Sequence, residues 1–273
     1  REGEAAAALA TPMGPTPSRP GAPELPEGAD PAEHQIQSLL PMDLLELEVG
    51  YGLIPLVDRG QNGELLDRIQ SIRRQFASQL GIVVPPIHIR DNLQLPPGGY
   101  SLLIKGVSIA EGQLMVDRWL AMNPGDLHEE VPGVPTTEPA FGLPALWIDA
   151  EQRDRAEQLG YTVVDCATVV ATHLSEELKD HAHELVGRQE LQELLDVVSQ
   201  TAPKVVEELI GERLQLGDVL RVVKNLLKEQ LAVRDMRSIL EALADHVHLT
   251  KNPDILTEFV RQRLARYISS RVR

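Results

Sequence analysis

The sequence predicts an α+β chain of several subdomains, a mixed α/β region followed by a helical bundle. Three observations carry this reading. Strand-like runs such as PALWID and YTVVD are interleaved with helical runs as far as Gly187. Beyond Gly187 the strand signals vanish and helical periodicity takes over in RQELQELLDVVSQ, APKVVEELIGERL, LGDVLRVVKNLLKEQL, VRDMRSILEALADHV and NPDILTEFVRQRLARYIS. The connections among these last segments are short, which favours antiparallel neighbours.

Composition bounds the rest. The chain has 273 residues, 42% hydrophobic and 25% charged, enough to bury a core without covalent staples. One cysteine, Cys166, excludes an internal disulfide and a cysteine-only metal site, so a reducing compartment is the default. A formal net charge of −15 argues against nonspecific nucleic-acid binding, where Lys and Arg neutralise phosphate. There is no run of about 18 apolar residues to span a bilayer, and no secretory signal. The chain opens on Arg1 rather than Met, which predicts a piece of a longer protein.

The elements follow in order. Residues 1–41 carry AAAALA and prolines at Pro12, Pro15, Pro17, Pro20, Pro23, Pro26 and Pro31, with few large apolar residues before Ile36. Such a segment buries too little surface to offset ordering entropy and reads as an extended linker. MDLLELEVGYGLIPLVD reads as a strand and then a glycine-marked turn. Leu65, Ile69, Ile72, Phe76 and Leu80 fall at helical spacing, and Gly81 ends that helix. In IVVPPIHIRDN, Pro85 and Pro86 forbid a central strand. GYSLLIKGVSIAEGQLMVDRWLAM predicts two or three strands joined by glycine turns, and MNPGDLHEEVPGVPTTEPAF is turn-rich. PALWID reads as a strand, AEQRDRAEQLG as a short helix and YTVVD as a strand. Asp165 then caps a helix through CATVVATHLSEELKDHAHEL. Pro203 and Pro253 sit near helix starts, where a missing N–H is tolerated.

No nucleotide motif is present, neither G-x-x-x-x-G-K-[ST] nor G-x-G-x-x-G. Gly50 and Gly52 read as a strand-to-turn device. His173, His181 and His183 offer a metal candidate and, with it, a metal-dependent enzyme. Their spacing is poor, since helical ligand pairs lie three or four residues apart, so a surface or capping role is the plainer reading. Cys166 and His173 are separated by roughly 10 Å of helical rise, too far for a nucleophile and its base. Cys166 reads as a small buried residue. Glu129 with Glu130, Glu176 with Glu177, and Glu207 with Glu208 read as solvated faces. Phe141 is less easily placed. Only 3% of residues are aromatic, yet TTEPAFGLPALWI puts one of them between Pro139 and Gly142, where the chain turns. It either plugs a core or lines an apolar patch that grips another protein, and composition leaves both open.

VDRGQNGELLDRI, VPPIHIRDN, GYSLLIKGVSIAEGQL, AMNPG, PAFGLPALWI and GYTVVDCATVVATHL occur in this order. Together they closely resemble the cytoplasmic domain of the export-gate family of type III secretion, in its flagellar branch, from about Pro41 onward. The resemblance implies a mixed α/β subdomain at 42–116 and 166–185, with a smaller α/β subdomain inserted at 117–165. It further implies a helical subdomain at 186–265, and at 266–273 the start of a C-terminal subdomain that is otherwise missing. It implies a linker to an inner-membrane region absent from this chain, and a nonameric ring on the cytoplasmic side. Expected partners are export chaperones with bound substrates, the ATPase complex and the second gate protein. No nucleic acid, cofactor, metal or catalysis is implied. The docking pocket would use Met122 and Pro124, Glu138, Phe141 and Leu143, and Val164, Val169 and Thr172. Glu138 stands where flagellar members usually carry Asp, and with Thr172 it would supply polar orientation at the pocket edge. A homologous virulence-type gate is the nearest alternative.

Overall fold

The computed structural model describes residues 42–58, 60, 63–125, 129 and 131–265. By internal contacts the chain separates into Arg1–Met42 and Asp43–Arg273, and the fold is that of the second unit. The linker reading of 1–41 and the subdomain start at 266–273 lie outside the described residues.

Alternating apolar residues build the first sheet, ordered β2-β1-β3-β4 from β1 (Leu45–Val49), β2 (His88–Asp91), β3 (Gly99–Ile104) and β4 (Val107–Gln113). Leu45 faces Ile104, Leu47 faces Leu102 and Val49 faces Tyr100 across the β1–β3 ladder. This places one apolar face inward, as a period of two requires. After the two prolines, β2 takes the edge position, where a missing N–H is tolerated. The 51–57 stretch, expected as a turn, coils instead into a 3₁₀ turn at Tyr51–Leu53 and the short helix α1 (Ile54–Val57). Pro55 suits its first turn.

Helix α2 (Glu64–Gln79) buries Leu65, Ile69, Ile72 and Phe76 along one stripe, as its period predicts. Gly81 closes it at φ +79°, and a Cβ there would lie 2.3 Å from the Arg234 Cα, so only glycine fits.

The second sheet is fully antiparallel and ordered β6-β7-β5-β8, from β5 (Trp119–Met122), β6 (Val134–Thr137), β7 (Pro144–Ile148) and β8 (Thr162–Val164). Three strands therefore come from the 99–122 region. β6 was not expected, because four residues containing Pro135 inside a proline-rich tract show no strand signal. An edge position accommodates them. On one face of this sheet, Leu120, Ala145 and Trp147, with Met122 and Val164, join the main core. On the other face, Ala121, Ile148 and Tyr161 form a small separate core with Ala156 of α3 (Arg153–Gln158).

Helix α4 (Cys166–Asp180) packs on α2 and reaches β4 and β5, so it touches both sheets. Asp165 caps it, accepting from the Thr168 N–H at 2.6 Å, while Arg68 of α2 donates to the other carboxylate oxygen at 2.9 Å. The run expected as one helix breaks at His181, and α5 (Ala182–Leu185) follows as a separate turn. The helical region comprises α6 (Arg188–Thr201), α7 (Pro203–Leu209), α8 (Leu216–Lys228), α9 (Met236–His246) and α10 (Pro253–Arg263). It is fastened to the end of α2, where Val233 N–H donates to Leu80 C=O at 2.8 Å and Arg234 donates to Ser78 C=O at 3.1 Å.

Replacing Asp165 with Ala removes both the helix cap and the carboxylate that Arg68 binds, and is expected to lower stability by about 1–2 kcal/mol in urea denaturation. Asp165→Asn keeps a capping oxygen and is expected to recover most of that loss.

Candidate functional site

The β6–β7 hairpin ends in a tight loop built around one carboxylate. Glu138 N–H donates to Leu143 C=O at 2.8 Å, and Gly142 N–H donates to Glu138 C=O at 3.0 Å. Gly142 takes φ +68°, the left-handed turn conformation that glycine adopts freely. The Glu138 side chain folds back inside the loop, where Oε1 accepts from Ala140 N–H at 2.9 Å and Oε2 from Phe141 N–H at 2.7 Å. These are charge-assisted bonds, roughly twice as strong as neutral ones. Glu138 is only 3% exposed, whereas Phe141 is 58% and Leu143 47% exposed. The loop thus turns its charge inward and its apolar side chains outward, and Phe141 is not a core plug.

The other expected residues sit on β5, on the turn after it, on β8 and on α4. Met122 ends β5, opposite Ala145 on β7 and Thr162 on β8. Pro124 follows on an exposed turn, where the Asn123 side-chain oxygen accepts from Gly125 N–H at 2.8 Å. Val164 lies opposite Leu120. Val169, one turn into α4, is 2% exposed and stands behind the surface rather than on it. Thr172 is half-buried on α4. Val169 belongs to the main core and Met122 and Val164 pack against it, while Phe141 and Leu143 are exposed on the loop. A cavity of about 490 Å³ opens beside the hairpin, lined in part by Asn123, Thr136, Pro144, Ala145 and Tyr161. Its described lining includes none of the expected residues. The Glu138 carboxylate, expected at a pocket edge, turns into the loop, where each oxygen accepts one amide N–H.

A polar network missed by sequence reasoning joins β3 to α4. The Tyr100 hydroxyl and His173 Nδ1 are 2.8 Å apart, and both residues are buried. His173 Nε2 lies 3.4 Å from Glu177, whose other oxygen is 3.7 Å from His181 Nδ1. Burial pushes the Tyr100 phenol well above its usual range, and the charges of Glu138 and Glu177 push it further. The phenol therefore stays protonated beside His173 Nδ1. One sequence signal pointed here. Gly112 sits opposite Tyr100 on β4, and a Cβ on it would lie 2.4 Å from the phenol ring. Glycine inside a strand marks such close approaches.

The metal reading gains no support from this geometry. His173 spends Nδ1 on Tyr100, and His181 Nδ1 lies 3.0 Å from the Glu177 carbonyl oxygen. Among the described residues no three His, Cys, Asp or Glu side chains converge to hold a metal ion. Cys166 is buried with its thiol 3.5 Å from the carbonyls of Met115 and Arg118, and burial, with Asp165 and Asp117 adding, pushes it up to about 11. A thiol so held is no nucleophile at neutral pH.

Residues 12–273 match the model of the FHIPEP family. The flagellar biosynthesis protein FlhA of Bacillus subtilis is 49% identical over 235 residues, covering 86% of this chain and 35% of that protein. The chain thus spans about a third of that relative's length. The structure of the Chlamydia pneumoniae CdsV and CdsO protein complex aligns with TM-score 0.74 at 26% identity, covering 84% of this chain and 72% of that one. The nonameric EPEC SctV-C structure aligns with TM-score 0.64 at 22% identity over 85% of this chain and 68% of that one, a likeness of fold.

Tyr100→Phe leaves His173 Nδ1 buried without its hydrogen-bond partner and is expected to cost about 1–3 kcal/mol of stability, read by thermal unfolding. Cys166 is expected to resist a disulfide reagent at pH 8 in the folded protein, to react faster as pH rises toward about 11, and to react at once when unfolded. The raised thiol favours the fold below its unfolded pKa of about 8.5, and that contribution fades as pH climbs through the folded value.

Proposed function

This chain belongs to the FHIPEP family, and from that premise we propose that it is a cytoplasmic docking platform of the flagellar type III protein export gate. It binds export chaperones loaded with cargo and passes the cargo toward the membrane channel. The observation that carries this reading is the hairpin tip, where Phe141 and Leu143 stand exposed on a loop held from within. An aromatic anchor on an ordered loop suits the apolar stripe of a partner helix, which docks by setting side chains into a shallow groove. The proposed surface also draws on Met122 and Pro124 at the end of β5, Glu138 in the loop, Val164 on β8, and Val169 and Thr172 on α4.

The flagellar branch is favoured over the virulence branch by identity, 49% to the flagellar relative against 26% to CdsV. The proposal includes the division into a first α/β subdomain at 42–116 and 166–185, an insert at 117–165 and a helical subdomain at 186–265. Its further partners are the ATPase complex and the second gate protein, with assembly into a nonameric ring in the longer protein. The family is one of export-gate components, not of enzymes. Among the described residues no helix is long and apolar enough to cross a membrane, which fits a domain held on the cytoplasmic side of the inner membrane.

Phe141→Ala is expected to weaken binding of a flagellar chaperone–cargo complex by at least about 2 kcal/mol, near thirtyfold, in titration calorimetry. Circular dichroism is expected to stay unchanged because the side chain is exposed. Unchanged affinity overturns the docking role of this loop.

A further inference from the structure

We infer that the cavity of about 490 Å³ beside the β6–β7 hairpin is a second interaction surface, which takes a segment of a partner protein with aliphatic side chains set between Lys or Arg. This surface lies apart from the docking loop, and its test does not depend on that loop.

The second sheet has two faces, and the alternation of side chains along each strand separates them. Met122 and Val164 pack against the main core. Pro135, Leu146 and Ala121 face one another across β6, β7 and β5. All three line the cavity, and Ala121 and Leu146 belong with the small core that holds Tyr161. Val131 and Tyr161 are buried at its base, while Pro132, Pro135 and Pro144 are exposed along it. The volume lies in the range of about 300–1,000 Å³ of clefts that take up ligands. A largely apolar hollow left open to water forgoes the burial energy that an aliphatic visitor would return. The Tyr161 hydroxyl donates to the Glu129 C=O at 3.2 Å, which sets Glu129, itself exposed, beside the cavity.

Charge fixes the chemistry of the occupant. Residues 117–165 hold ten Asp or Glu against three Arg. Arg118 lies 3.3 Å from Asp149, and Arg153 donates to Glu157 at 3.0 Å, so two of those three cations are already answered within the chain. A partner that brings Asp or Glu to this hollow meets repulsion, whereas one that brings Lys or Arg is drawn in. Pairing of a partner strand along β6 is the other use of this edge. Pro135 leaves β6 without an N–H at that residue, which blunts strand addition. The contact is therefore one of side chains, aliphatic ones in the hollow and cationic ones around it.

The test titrates two labelled peptides into the intact chain, one alternating Leu with Lys and one alternating Leu with Glu. Fluorescence anisotropy reads affinity, and amide shifts read location. Expected is binding of the Lys peptide, weakened by added salt, with the amides of Asn123, Gly133, Thr136 and Leu146 shifted. The Glu peptide is expected not to bind. Pro135→Arg puts a cation on an exposed residue of the hollow and is expected to weaken the Lys peptide about tenfold with the melting transition unchanged. Pro132→Arg, which lies outside the strands, is expected to act alike and carries the test should Pro135→Arg not fold. The inference is overturned by a Lys peptide that does not bind, or by equal binding of both peptides, which marks apolar adhesion alone. It is also overturned if neither arginine variant weakens binding, or if the shifted amides lie elsewhere in the chain. A loss with Phe141→Ala equal to that with Pro135→Arg moves the peptide to the loop tip and sinks it too. The docking reading is judged separately, by the chaperone–cargo titration with Phe141→Ala.

Discussion

Helix α4 is the constraint on which the arrangement depends. Cys166, Ala167, Val169, Val170, Ala171, His173, Leu174 and Leu178 are all buried, a coverage wider than the single stripe of a surface helix. A helix buried on several sides must satisfy several neighbours at once, and this one serves α2, the first sheet and the second. Its start is fixed from two directions. Arg68 of α2 holds the capping Asp165, and the Cys166 thiol lies against the carbonyls of Met115 and Arg118 in the connection between the sheets. A shift of α4 by one residue would break the cap, the thiol contacts and the Tyr100–His173 bond together. The orientation of the second sheet, and hence of its hairpin, is therefore set by how α4 is seated.

The seam beside α4 is polar where an apolar one would have been simpler. Tyr100 and His173 are hydrogen-bonded there, Glu177 lies 3.4 Å from His173 Nε2, and the Glu138 charge is felt at the phenol. Apolar contact is non-directional and tolerates sliding. A buried network has one satisfied geometry, and every departure from it leaves a donor or acceptor bare at a cost of about 1–3 kcal/mol. In an acidic chain, the placement of Glu138 and Glu177 near one tyrosine is tolerable because the tyrosine stays neutral. Its raised phenol is the consequence of this arrangement and also what keeps it a donor.

The sequence was most legible where one local signal decided the outcome. The stripe of Leu65, Ile69, Ile72 and Phe76 could only be a helix face, and the Asp165 cap was readable from its place before a helical run. It was least legible where long-range pairing overrode local signals. β6 holds Pro135 and exists because β7 is there to pair with it. The break at His181 carries no glycine or proline to announce it. Tyr100 and His173 are 73 residues apart, and nothing local joins them. Glu138, between Thr137 and Pro139, has the look of a solvated turn carboxylate. Its inward rotation depends on the left-handed Gly142 and on amides that no pattern of residue types displays. The family resemblance assigned the Glu138 carboxylate to a pocket edge, whereas the side chain turns into its own loop, because a motif records which residue is present and not which way it faces.

An exposed phenylalanine is a liability unless something makes use of it. Its ring in water forgoes the roughly 25 cal/mol per Å² that burial would return, and a flexible loop could hide it by collapsing onto the nearby sheet. The capped loop prevents that collapse, since closing Phe141 against the protein would mean breaking bonds to a buried charge. On the proposed docking reading, the same stiffness lowers the entropy lost when a partner arrives, because the backbone that carries Phe141 is already ordered. Exposure and rigidity together are what separate a docking anchor from a stray surface aromatic. Exposure alone is common on protein surfaces. The conjunction of an outward ring with an inward carboxylate on adjacent turns of one short loop requires both the glycine that lets the chain reverse and the acidic side chain that holds it reversed.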